Sequence, residues 1–221
     1  MAAVRLLVTA LLVLAVLSPL ALAAGRPLIA VMPFEEGRIE GEFNRRWWQR
    51  EGPQLLDAIR EAFTDQLIES GRFRVLERSR LDQVMKELRL QTSEWFDPTN
   101  ALQIGRLLGA PYLLMGTVTR FDLRETGYIH MGKLAIQGSG ADIGLRVRIV
   151  ETETAIALAA VSAAGAATSG DLFFKLPKSL SGALHGDSPV YAAAQRAVDE
   201  LVEKVIAAFE ELMAENAAGS L

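Results

Sequence analysis

The stretch Asp142–Val150, DIGLRVRIV, alternates without a break. Ile143, Leu145, Val147 and Ile149 fall on one face, with Asp142, Gly144, Arg146 and Arg148 on the other. Such a period-two pattern belongs to a strand with one face in a core and the other toward water, as in antiparallel sheets. The ETET that follows, Glu151–Thr154, supplies a turn, and Ala155–Ala164 predicts the partner strand. A sheet built this way leaves one apolar face that other elements must cover.

The rest of the chain provides those elements. Pro27–Phe34, PLIAVMPF, is a continuous apolar run, the signature of a strand covered on both faces. Charged, glycine-containing Glu35–Gly52 predicts a long loop. Pro53 then suits the first position of a helix, with Leu56, Ile59, Phe63 and Leu67 as its apolar stripe and Gly71 as its stop. Phe73 and Val75 alternate with Arg72 and Arg74 in a short strand. Ser79, three residues before Asp82, reads as a capping box opening a helix buried through Leu81, Val84, Met85 and Leu88. Asp97-Pro98 starts another helix, which Gly109 ends. Pro111–Phe121 predicts a third strand whose interior Gly116 marks a bulge or a close backbone approach. Gly165–Gly186 reads as a loop, and Ser188-Pro189 opens a last helix striped by Val198, Leu201, Val202, Val205, Phe209 and Leu212. The order β-α-β-α-α-β-β-β-α argues for a single α/β domain, a mixed sheet with flanking helices, over residues 24–214, with 215–221 as a flexible tail.

Residues 1–23 read as a cleaved secretory signal. One charge, Arg5, precedes an apolar run from Leu6 to Leu17, and Ala21-Leu22-Ala23 offers small residues at the cleavage site. As a retained anchor that run is short of the ~20 residues a span needs. The chain has no cysteine, so disulfides, thiol chemistry and N-terminal lipidation are excluded. Its formal charge of −4 leaves no basic stripe for nucleic acid.

Groups suited to catalysis do not converge in the sequence. A nucleophile elbow at Ser79 would need flanking glycines and an activating histidine, whereas its neighbours are Arg78 and Arg80. The only histidines, His130 and His185, are far apart and lack metal-ligand spacing. Gly138-Ser139-Gly140 has no phosphate-binding lysine. Glu35-Glu36 reads as solvated. No catalytic residue, cofactor or metal site is therefore expected. Phe43, Trp47 and Trp48 are costly to leave in water within a polar loop, which marks them as candidate partner contacts or as satellite core.

Taken in order, several of these strings resemble the curli production assembly/transport component (CsgG) family: IAVMPFEE, SGRFRVLERSRLDQVMKE, DPTNALQIGRLLGAPYLLMGTVTRF and GLRVRIVETET. The resemblance covers Leu28 to about Ala208. Its layout is also similar to the N-terminal domain of TolB and to penicillin-binding-protein activators. It implies a periplasmic or outer-membrane protein that works by assembly, with homo-oligomers and other envelope or secreted proteins as partners. The best-known members are lipoproteins forming a ring whose subunits each give two β-hairpins to a shared barrel. This chain departs from them in having no lipidation cysteine and in reading Thr154-Ala155 where many relatives have Thr-Gly. The segments where such hairpins would lie are Thr126–Val150 and Ala155–Lys178, of which only Ile143–Ile149 alternates well. Three functions therefore stand open: an assembly or secretion protein acting through contacts, an outer-membrane channel, and an activator that docks an envelope enzyme.

Overall fold

The computed structural model describes residues 25–88, 98–131, 134–168 and 188–219. The segment read as an export signal, Asp97 and His185 lie outside them. The elements are β1 (Leu28–Val31), β2 (Glu35–Glu36), α1 (Glu42–Glu69), β3 (Arg74–Val75), α2 (Arg78–Glu87), α3 (Pro98–Leu108), β4 (Tyr112–Met131), β5 (Leu134–Glu151), β6 (Ala157–Thr168) and α4 (Pro189–Gly219). Apart from the two-residue β2, this is the order read from the sequence. Helix α4 continues into the segment read as a tail. No described helix is long and apolar enough to cross a membrane.

One mixed sheet runs β3-β1-β4-β5-β6, with β2 beside β4. Strand β1 pairs parallel with β3 and β4, and the β4–β5 and β5–β6 pairs are antiparallel. Parallel pairs need crossover connections, and α1 and α2–α3 provide them. Helices α1 and α4 cover one face through Ile59, Phe63, Leu201 and Val205, packed on Ile143, Leu145, Val147 and Ile149. Helices α2 and α3 cover the other face only over its β1–β4 end, through Leu81, Met85, Ile104 and Leu108 against Ala30, Met32, Leu113 and Met115. Beyond that patch Arg146 and Arg148 stand exposed, as the alternation requires. Gly116 makes the close approach expected of it: a Cβ there would stand 2.4 Å from the Phe34 ring.

Three local expectations are corrected. The predicted loop is mostly helix, since α1 begins at Glu42 and carries Pro53 in its interior. Proline normally breaks a helix, but burial of Asn44 and Trp48 holds the turns before it in place. Gly52 also leaves room for the indole, since a Cβ there would stand 2.8 Å from Trp48 ring atoms. Second, Ser79 caps nothing. The N-cap of α2 is Glu77, without a side-chain cap bond. Asp82 instead lies 3.7 Å from the buried Arg60 and 3.6 Å from Arg78. Third, β4 and β5 extend well past the predicted strands, and β6 runs to Thr168, inside the predicted loop.

Candidate functional site

The extra length of β4 and β5 is the feature around which a site is built. Their pairing continues, through a register shift between Thr126 and Tyr128, to Met131↔Leu134, whereas the described part of β6 pairs with β5 as far as Gly140↔Thr168. From Glu125 and Ser139 outward, the two strands form a ribbon alone among the described residues. At ~3.3 Å per residue the arm from Glu125 to Met131 extends ~23 Å past the last described β5–β6 pair.

The base of the ribbon is fastened by Asn44. Strand β2 ends at Glu36, opposite Val118, and a bulge follows in β4 between Val118 and Arg120. On the side away from β5, the next backbone groups of β4 therefore have no neighbouring strand among the described residues. Asn44, only 8% exposed, takes that place. Its Oδ1 accepts from the Leu123 N–H at 3.1 Å. Its Nδ2 donates to the Glu40 carbonyl at 2.9 Å and to Asp122 Oδ1 at 3.3 Å, with the Phe121 carbonyl at 3.5 Å. One side-chain amide thus does the work of a strand residue. Across the ribbon base the Arg124 guanidinium faces the carboxylates of Asp122 and Asp142.

The three aromatics picked out in the sequence part company here. Trp48 is core, 4% exposed, edge-on to Phe121 at 4.9 Å, with its indole N–H donated to the Glu36 carboxylate. Trp47 is half-buried and stacks on the same ring at 4.9 Å. Phe43 is 60% exposed. With Trp47, Leu123, Arg124, Gly140 and Pro189 it lines a depression of about 380 Å³ at the ribbon base.

Several charged groups elsewhere are held in structural pairs. Arg60, 5% exposed, donates to the carbonyl of Val31 at 3.1 Å, and so ties α1 to the end of β1. Burial first, and then the charge of Arg78, lowers its pKa, which Asp82 and Asp57 partly offset. Glu35 is raised by burial, with Arg148 acting against the shift. Among the described residues no three His, Asp or Glu gather as metal ligands would. Sequence reasoning missed the roles of Asn44 and Arg60. An Asn and an Arg in charged surroundings read as solvent-facing, and nothing local signals that their partners lie far along the chain.

The sequence profile of the family described as "Curli production assembly/transport component CsgG" matches residues 13–219. No curated protein matches the chain in sequence. Among solved structures it is similar to lipoprotein GNA1162 from Neisseria meningitidis, at 14% identity and TM-score 0.44 over 84% of this chain and 99% of that one. It is also similar to the hypothetical protein CT253 from Chlamydia trachomatis, at 12% identity and TM-score 0.49 over 82% and 96%. The LpoB C-terminal domain from Salmonella enterica matches at 16% identity and TM-score 0.37 over 66% and 90%.

Proposed function

The chain belongs to the family of the curli production assembly/transport component CsgG, and on that footing we propose that it is an exported, non-catalytic cell-envelope protein. It acts in assembly or secretion by associating with copies of itself and with other envelope or secreted proteins. Its place is the periplasm, at the outer membrane, and it is not a lipoprotein. The observation that carries the reading is the β4–β5 ribbon. A two-stranded ribbon is marginal alone in water, and among the described residues no strand flanks it beyond Ser139, so its edges can pair with another chain. Strand addition at such edges is a general mode of peptide capture. The exposed Phe43 beside the ribbon base adds an apolar contact.

The same free edges favour a second reading, in which each copy lends its ribbon to an outer-membrane barrel. Sequence argues against it. A membrane strand needs ~9–11 residues of apolar/polar alternation, and in the segments where such hairpins would lie only Ile143–Ile149 alternates well. The contact-based reading is therefore preferred.

Cell fractionation followed by native mass measurement tests both, alongside a variant in which residues 126–138 are replaced by Asn-Gly. The expected result is a multi-subunit assembly for the wild type, and a smaller, equally folded species for the shortened chain. A wild type that stays monomeric at every concentration and captures no envelope protein would refute the proposal. A detergent-stable ring in the outer membrane would select the channel instead.

A further inference from the structure

Among the described residues β6 is the far edge of the sheet, and its outer backbone groups meet a row of side chains from α4. The Arg196 guanidinium donates to the carbonyl of Ala166. Glu200 Oε2 accepts from the Ala164 N–H at 3.2 Å. Lys204 Nζ donates to the carbonyl of Ser162 at 2.7 Å. Cation, anion and cation thus meet acceptor, donor and acceptor in order. The match has a geometric basis. Positions four apart on a helix advance ~6 Å, and positions two apart on a strand ~6.8 Å. A helix running antiparallel to β6 on its flank therefore stays in step with every second residue.

Two further contacts hold that alignment. Gly165 lets the helix lie directly on the strand, since a Cβ there would stand 2.0 Å from the Ala193 carbonyl oxygen. Glu200 and Lys204 also pair with each other at 2.6 Å. A surface ion pair adds little stability. As a substitute for a neighbouring strand, however, the row occupies the groups an incoming strand would need. The side chains that an incoming strand would lie beside on the outer face are small: Ala160, Ser162, Ala164 and Ala166, all exposed.

We propose that Arg196, Glu200 and Lys204 form a clasp that closes β6 to strand addition. The occupant it excludes is the β6 edge of a second copy, because two such edges pair antiparallel about a two-fold axis with identical partners. The clasp directs self-association away from this edge of the sheet.

The test is R196A/E200A/K204A, compared with wild type by sedimentation velocity across a wide concentration range. The variant gains association beyond whatever state the wild type holds, with a midpoint concentration at least tenfold lower. Adding Ala164→Pro removes the N–H that faces the edge, which an edge strand tolerates, and so returns association to the wild-type level. A folded triple variant with wild-type association overturns the proposal, and so does gained association that Ala164→Pro leaves intact. Should the triple variant fail to fold, amide exchange in E200A decides. Loss of a charge-assisted bond speeds exchange at Ala164 about tenfold, and an unchanged rate counts against the clasp.

Discussion

Replacing Asn44 tests whether one amide stands in for a missing strand at the ribbon base. In Asn44→Ala, the Leu123 N–H and the Glu40 carbonyl lose partners at 3.1 and 2.9 Å, and the weaker contact to Asp122 at 3.3 Å also goes. A net hydrogen bond contributes ~0.5–1.5 kcal/mol, and a buried group left unsatisfied costs ~1–3 kcal/mol. Asn44 borders an open depression that also reaches Arg120 and Asp122, so water can rescue part of that loss. The expected destabilisation is about 2 kcal/mol, or ~4–8 °C in Tm for a chain of this size. Asn44→Asp keeps the acceptor for Leu123 but aims a carboxylate at two carbonyl oxygens and at Asp122. It is expected to be worse than alanine at pH 7. Those neighbours raise the folded-state pKa of the new carboxyl, so its deficit shrinks as pH falls toward the unfolded value of ~4. Asn44→Ala has no new titrating group and keeps its deficit across that window. Urea unfolding at pH 7 and pH 4.5 reads both. A loss below ~0.5 kcal/mol for alanine, or an aspartate variant that does not recover relative to alanine at low pH, refutes the reasoning.

Trp48→Ala empties a site beside Phe121 and orphans the Glu36 carboxylate. It should cost ~3–5 kcal/mol in denaturant unfolding, whereas exposed Phe43→Ala should stay within ~0.5 kcal/mol yet weaken partner capture in pull-down. Ala155 holds φ 58 in the turn after β5, a conformation that costs a residue with a Cβ roughly 1–2 kcal/mol. Ala155→Gly should therefore stabilise the protein by ~0.5–1 kcal/mol after the extra unfolded-state entropy of glycine. Thermal unfolding checks this, and a lower Tm would contradict it.

What the sequence determined by itself is the set of buried faces. The alternation at Ile143–Ile149 and the stripes through Ile59, Phe63, Leu201 and Val205 all fall inside the core as read, because burial of apolar surface follows the period of the backbone that carries it. Order and class of the elements followed from the same periods. Only tertiary structure decided where polar residues go. Gly52-Pro53 looked like a helix start, but Asn44 and Trp48 find partners on β4 and carry the helix through it. Asp82 looked like a cap and became the partner of Arg60, far away in sequence. Two stretches of sheet edge went the same way, met by Asn44 at β4 and by Arg196, Glu200 and Lys204 at β6. An apolar side chain needs only to leave water, whereas a hydrogen-bonding one needs a particular partner at a particular distance, and that partner exists only once the chain has folded.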